Sequence, residues 1–306
     1  MPKPQNVSFS ADGIAAERSS KRAAGLYFVA TPIGNLRDIT LRALDVLGTV
    51  DIVACEDTRH TGKLMSAYSI KTRLMSYHDH NAARVRPRLL DRLSQGDSVA
   101  LVSDAGTPLI SDPGYRLLIE AIDAGIPVTS APGPSSVLAA LTLAGLPTDR
   151  FLYLGFAPNR SSARRRYLEP FARTDASIVL LESPKRLAKC LPDLLAVFGD
   201  REAAITRELT KLHEEVLRDR LSALADKFDD APAPRGEVVV VIGPPEFNAE
   251  EPPEQDQIDA LLRAGLKDEK PSAVAARLAS ETGIARRQLY QRAIALKHDI
   301  GGDEDD

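Results

Sequence analysis

From Leu26 onward, short apolar runs alternate with stretches whose apolar positions recur every three or four residues, a pattern that predicts strands and helices in turn. Leu26–Thr31, Asp51–Cys55, Thr72–Tyr77, Ser98–Val102 and Pro127–Ser130 read as strands. Thr40–Leu47, Thr58–Ala67, Asn81–Leu93, Gly114–Ala124 and Pro134–Leu143 read as helices. Such alternation predicts a mostly parallel sheet with helices on both faces. Gly145, Pro147, Thr148 and Asp149 interrupt it, which puts a domain boundary between residues 147 and 148.

The second half has a different rhythm. Phe151–Phe156 and Ser177–Leu181 read as strands around a helix at Ser161–Ala172, and a further helix is expected at Pro184–Phe198. Strands at Glu202–Thr206, Glu214–Arg218 and Gly236–Ile242, with a short helix at Leu221–Lys227, lie close enough in sequence to form hairpins, so this sheet should be mixed. Pro244, Pro245, Pro252 and Pro253 interleave with acidic residues and mark an extended linker. Three helices are expected beyond it, at Ile258–Leu262, Pro271–Ser280 and Ile284–Lys297. Val274, Leu278, Leu289 and Ala293 form an apolar stripe and Gly283 a turn, the pattern of a helix-turn-helix. The expected organisation is a disordered leader (1–24), an α/β domain (25–147), a second α/β domain (148–243), a linker (244–255), a helical module (256–300) and an acidic tail (301–306).

Composition narrows the class. With 43% hydrophobic and 27% charged residues and a net charge of −4, the 306-residue chain belongs among globular rather than disordered proteins. No apolar run approaches the ~20 residues of a membrane span, so no membrane partner is expected. Two cysteines 135 positions apart, Cys55 and Cys190, make neither a disulfide framework nor a metal site and fit a reducing cytoplasm. Arginine is unevenly spread. Arg160, Arg164, Arg165, Arg166 and Arg173 face only Glu169 across residues 155–173, and Arg84, Arg86, Arg88 and Arg92 face only Asp91. The helical module carries eight Lys or Arg against three acidic residues over 262–297. Basic patches of this kind suit a phosphate backbone. Aromatic residues are only 5%, with no Trp, so recognition by base stacking is not expected to dominate.

Chemistry concentrates in loops after strands. Ser103, Asp104, Gly106, Thr107, Pro108, Ser111 and Gly114 follow the Ser98–Val102 run, a density of turn formers and oxygens suited to a ligand cradle at a strand's carboxyl end. Neither GxGxxG nor GxxxxGK[ST] follows any strand, which removes support for nicotinamide and nucleotide-hydrolysis chemistry. His78 and His80 lack accompanying Cys or His residues and read as loop residues, so no metal site is expected.

The strings ATPIGNLRDITLRAL, ACEDTRHTGKLM, SYHDHN, LVSDAGTPLISDPG, APGPSSVLAAL, LGFAP, ESPKRL and RELTKLHEE, in this order, resemble the ribosomal RNA small subunit methyltransferase I family of the tetrapyrrole methylase superfamily. The resemblance implies a fold of two α/β domains with S-adenosylmethionine in the cleft between them, a C-terminal helix-turn-helix, and 2′-O-methylation of a cytidine ribose in the decoding region of 16S rRNA. It also implies cofactor contacts at Pro32, Asp104, Gly106, Thr107, Ser135, Ser136 and Leu181. The family's ESPHR motif reads Glu182-Ser183-Pro184-Lys185-Arg186 here, which removes an imidazole at position 185.

A ribose hydroxyl is a poor nucleophile and benefits from a proton acceptor, for which Asp57, Glu182, Lys185 and Glu208 stand at strand ends or adjoining loops. Glu182 and Lys185 are taken as the catalytic candidates, and Arg160, Arg164, Arg165 and Arg166 as substrate-binding ones. The expected partner is 16S rRNA or the assembled 30S subunit, and the expected assembly a homodimer. A tetrapyrrole C-methylase and a ligand-sensing nucleic-acid-binding regulator remain as alternatives.

Overall fold

The first sheet is built from strands apolar on both faces. The computed structural model describes residues 22–111, 114–229, 236–245, 255–266, 269–282 and 284–301. The expected leader, Asp112 and Pro113, most of the linker, the Gly283 turn and the acidic end lie wholly or largely outside the described residues. β1 (Gly25–Val29), β2 (Ile52–Cys55) and β4 (Ser98–Val102) are almost entirely buried, whereas β3 (Leu74–Ser76) and β5 (Val128–Ala131) put Ser and Thr on the edges. All five pair in parallel, in the order β3-β2-β4-β1-β5. On one face, α1 (Leu41–Thr49) and α2 (Thr58–Ala67) cover Val29, Val53, Cys55, Ala100 and Val102. On the other, α3 (Ala82–Ser94) and α4 (Tyr115–Asp123) cover Leu26, Phe28, Ile52, Val99 and Leu101.

This strand order creates the crevice. β1 and β4 are neighbours, but the chain leaves β1 into α1 on one face of the sheet and leaves β4 into α4 on the other. Connections that diverge from adjacent parallel strands open a gap at their carboxyl ends, the ligand position of open α/β sheets.

The second sheet runs β6-β7-β10-β8-β9, from β6 (Phe151–Phe156), β7 (Ser177–Glu182), β8 (Glu202–Arg207), β9 (Glu215–Arg220) and β10 (Val238–Ile242). Only β6 and β7 are parallel, so the sheet is mixed. α6 (Ser161–Leu168), α7 (Pro184–Phe198) and α8 (Leu221–Asp229) pack on one face around Leu168, Leu187, Leu191 and Leu224. α6 is shorter than the expected Ser161–Ala172, because the chain tightens into a 3-10 turn at Glu169–Phe171 around Pro170.

The opposite face is covered by α5 (Ser136–Ala144), which follows β5 of the first sheet. Its Val137, Ala140, Leu141 and Ala144 join Val179, Ala204, Val239 and Val241 in one core. Arg218 of β9 donates to the Leu143 carbonyl at the end of α5, from Nε at 3.0 Å and Nη2 at 2.5 Å. One helix therefore ties the two sheets into a single compact unit extending to Pro245.

The helices beyond it form a unit of their own. α9 (Gln255–Gly265), α10 (Pro271–Thr282) and α11 (Arg286–Gly301) enclose Ile258, Leu262, Val274, Leu278, Leu289, Ala293 and Leu296. Part of the basic excess is spent inside this unit, Arg292 on Asp259 and Arg277 on Glu269.

Candidate active site

The loops after β1 and β4 are joined by a short antiparallel bridge. Thr31 N–H donates to the Gly106 carbonyl at 2.9 Å, and Gly106 N–H returns a bond to the Thr31 carbonyl at 3.0 Å. Gly106 adopts φ 78°, a left-handed conformation that glycine takes without steric cost, and a Cβ there would touch Ile33 at 3.4 Å. Thr31 Oγ1 donates to the Ser103 carbonyl, and Ser103 Oγ donates back into the same loop. A buried hydroxyl network thus sets the loop holding Asp104, whose Oδ1 accepts from Asp57 N–H at 3.2 Å.

Strain gathers farther along this loop. Leu109 and Ser111 both have positive φ (73° and 68°), and Ser111 Oγ hydrogen-bonds Tyr153 Oη of β6 at 2.6 Å, linking the two lobes.

Two cavities flank the bridge. The larger, of about 420 Å³, lies between the lobes and is lined by Asp104–Thr107, Ser135 and Ser136 from one side and by Tyr153, Phe156, Leu181 and Glu182 from the other. Its carboxylates are Asp104, Glu182 and Glu237, and no Lys or Arg lines it among the described residues. The smaller, of about 380 Å³, is bordered by the Thr31–Gly34 loop, by α2 and by Lys211. Both volumes fall in the range that holds small organic ligands.

Six of the seven positions marked by the family resemblance for cofactor contact (Asp104, Gly106, Thr107, Ser135, Ser136 and Leu181) line the larger cavity. Pro32 lines the smaller one. Ser135 caps α5, its hydroxyl accepting from Leu138 N–H at 3.4 Å, and Thr107 Oγ1 donates to the Pro134 carbonyl at 3.2 Å. Tyr153, Phe156 and the Gly236–Val239 segment also line the cleft. Phe156 falls in the LGFAP string, but nothing in the local sequence marks Tyr153 or Gly236–Val239, which only sheet pairing brings here.

The proton-acceptor candidates are mostly occupied. The Asp57 carboxylate is gripped by Arg59 at 2.9 Å, and hydrogen bonds from that residue's side chain and backbone hold it down to about 2. Glu182 is buried, accepts from Ser183 N–H at 2.6 Å and from Arg186 Nη2 at 3.2 Å, and has Arg186 Nε 3.0 Å away. Glu208 accepts from Lys211 Nζ at 2.8 Å, which keeps it below the usual carboxylate range. Lys185 is exposed and lines neither cavity. Of the two neighbouring cations it is Arg186, one position on from Lys185, that turns back to Glu182.

The place expected for Arg164 is corrected. Expected on an RNA-binding surface, it is 2% exposed. Its guanidinium donates to the carbonyls of Pro158 (3.1 Å), Asn159 (3.0 Å) and Lys189 (2.8 Å) and to Asp193 Oδ2 (2.7 Å). With four of its five N–H donors engaged, it holds the LGFAPN loop against α7. Arg165 shares Asp193 but keeps half its side chain in solvent, while Arg160 and Arg166 are exposed. In the second cluster Arg86 pairs with Glu120 and Arg92 with Asp97, leaving Arg84 and Arg88 on the surface. Among the described residues no three His, Cys, Asp or Glu side chains converge to hold a metal ion.

A parallel lobe and a mixed lobe sharing a polar cleft at the β1/β4 switch point define a tetrapyrrole methylase fold. The Tetrapyrrole (Corrin/Porphyrin) Methylases family matches residues 25–225, and the RsmI C-terminal HTH domain matches residues 251–297. The chain is 50% identical over 281 residues to ribosomal RNA small subunit methyltransferase I of Mesorhizobium japonicum, covering 92% of this chain and 94% of that one. It is 49% identical over 273 residues to the protein of the same name from Erythrobacter litoralis, covering 89% and 95%. The chain belongs to the ribosomal RNA small subunit methyltransferase I family. Among solved structures, the uroporphyrin-III-C-methyltransferase from Thermus thermophilus superposes with TM-score 0.53 at 25% identity, covering 72% of this chain and 94% of that one. Diphthine synthase superposes with TM-score 0.57 at 21% identity over 71% and 89%, a likeness of fold.

Proposed function

We propose that the chain transfers a methyl group from S-adenosylmethionine to the 2′-oxygen of a cytidine ribose in 16S rRNA, acting on the small ribosomal subunit in the cytoplasm. The observation that carries this reading is the inter-lobe cavity, where hydroxyls, backbone and three carboxylates stand beside apolar side chains. These residues fit the donor. Its cationic sulfonium suits a cleft with three carboxylates and no lining Lys or Arg among the described residues, and its adenosine suits Ile33, Val137, Leu181 and Val239. Family membership supports the RNA as acceptor.

Bound there, S-adenosylmethionine supplies a methyl already activated on sulfur. Asp104, Gly106 and Thr107, on a loop braced by the Thr31 bridge, bind and orient it, with Ser135, Ser136 and Leu181 closing the adenosine end. Ile33, Ile110 and Phe156 keep water away, and the remaining task is alignment of the acceptor oxygen. Arg160, Arg165 and Arg166 offer charge to the RNA backbone beyond the cleft.

We further propose a homodimer, supported by Tyr115, Ile119 and Ile122, an apolar stripe along α4 that is 67%, 38% and 54% exposed. Sedimentation at micromolar concentration is expected to give twice the chain mass; a monomer would remove this part of the reading. For the reaction, incubation with radiolabelled S-adenosylmethionine and either 30S particles or a tetrapyrrole precursor is expected to label the 30S particles alone. Label in the tetrapyrrole would overturn the assignment.

A further inference from the structure

The smaller cavity differs from its neighbour in carrying cations: Lys63 and Lys211 balance Asp104 and Glu237 on its lining. His60 and Lys63, one turn apart on exposed positions of α2, and Lys211 line it, whereas no Lys or Arg lines the larger one among the described residues. The two share a wall of Ile33, Asp104, Ala105 and Glu237, braced by the Thr31–Gly106 bridge. A ligand in one and a ligand in the other would therefore meet at the same four residues.

The chain goes to unusual lengths to deliver Lys211 here. Glu208 and Thr210, in the loop between β8 and β9, both adopt positive φ (52° and 65°), a strained conformation for residues with side chains. Thr210 N–H donates to Glu214 at 2.6 Å, and Glu208 N–H to the Glu237 carbonyl at 3.1 Å, which hold that shape. Two glycines in separate loops make room. A Cβ at Gly34 would lie 2.5 Å from Lys211 Cγ and 2.7 Å from Cε, and one at Gly236 would collide with the Glu208 carboxylate. Lys211 Nζ then sits 2.8 Å from Glu208 and 3.5 Å from Glu237, its side chain 28% exposed. Burial alone would lower its pKa, but the bond to Glu208 and the charge of Glu237 outweigh it and raise it. Lys211 is a permanent cation, not a proton acceptor.

We propose that this smaller cavity seats the acceptor nucleotide, with Lys211 and Lys63 binding a phosphodiester of the RNA strand so that the ribose 2′-oxygen is presented where the two cavities meet. The inference rests on the methyl-transfer reading and assigns the acceptor's place within it. A phosphodiester anion calls for fixed ammonium groups. No Phe, Tyr or Trp lines the cavity among the described residues, so the sugar-phosphate rather than a stacked base is what it recognises. The other anion that could reach these lysines is the carboxylate of the donor itself, and the test separates the two.

Lys63→Gln, Lys211→Gln and Lys211→Arg are compared with wild type in two assays: methyl transfer to unmethylated 30S particles across salt concentrations, and calorimetric binding of S-adenosylhomocysteine. Each Gln variant is expected to raise the KM for 30S particles at least fivefold, to reduce the slope of log affinity against log salt by about 1, and to leave S-adenosylhomocysteine affinity within twofold. Lys211→Arg, which keeps the charge, is expected to retain most of the slope. Lys63 is exposed on α2, so its variant reads the site even if Lys211→Gln disturbs folding. Unchanged slopes in both Gln variants overturn the inference, as does a loss of S-adenosylhomocysteine affinity with the 30S KM unmoved, which would assign the lysines to the donor. Wild-type protein that leaves 30S particles unlabelled overturns the methyl-transfer reading itself and this inference with it.

Discussion

Arg164 and Asp193 meet at 2.7 Å with side chains only 2% and 3% exposed. The same carboxylate takes Arg165 Nε at 2.5 Å and the Ser161 hydroxyl at 2.8 Å, so one acid on α7 anchors α6 and the loop before it. Removing one member of a buried pair strands the other. Asp193→Ala and Arg164→Ala are each expected to cost about 3 kcal/mol of stability, read from urea midpoints. Arg166→Ala, at an exposed position, is expected to stay within about 0.5 kcal/mol of wild type while weakening 30S binding and its salt dependence. Equal stability losses in all three variants would contradict the division between structural and surface arginines.

The same pair sets an acid limit. Burial works to raise the Asp193 carboxyl, but hydrogen bonds from Arg165 and Ser161 and the charges of Arg165 and Arg164 outweigh it and hold it below its ordinary 3.8. As pH falls through the ordinary value, the unfolded chain takes up a proton before the folded one does, so stability contributed above that pH is lost toward the depressed folded value. The stability difference between wild type and Asp193→Asn is expected to shrink as pH is lowered from 5 toward 3. A constant difference would mean that the carboxylate's charge contributes nothing.

Asp104 stands where the two cavities meet, its carboxylate accepting from Asp57 N–H. Asp104→Ala is expected to weaken S-adenosylhomocysteine binding more than tenfold in calorimetry while circular dichroism remains that of wild type. Unchanged affinity would remove Asp104 from the donor site.

Gly236 has φ 97°, and a Cβ there would meet Glu208. Gly236→Ala is expected to dislodge Glu208 and lower kcat/KM for 30S particles at least tenfold. Wild-type turnover in this variant would show that the Glu208–Lys211 arrangement has no part in the reaction.

The helices α9, α10 and α11 form a compact unit of their own. Deleting 254–306 is expected to weaken methyl transfer to 30S particles without abolishing it, as a steady-state assay would read. Complete loss of nucleic-acid binding with intact donor binding would favour a regulator over an enzyme.

Periodicity alone was enough to read β1, β2 and β4, since strands buried on both faces must be uniformly apolar, and to separate the parallel lobe from the mixed one by connection length. The loop Ser103–Thr107 was legible for a related reason: turn formers and side-chain oxygens after a buried strand mark its carboxyl end, where open α/β sheets bind ligands. Charge counting was less informative, because it weighed Arg164 and Arg166 alike. Tertiary packing alone buried the first against Asp193, 29 residues away, and left the second in solvent. Packing also carried α5 across to the second sheet and threaded Lys211 past Gly34. Local sequence determines what an element is, through backbone sterics and the spacing of apolar groups. Which charged groups find partners depends on residues distant in the chain meeting in space, and only the fold decides that.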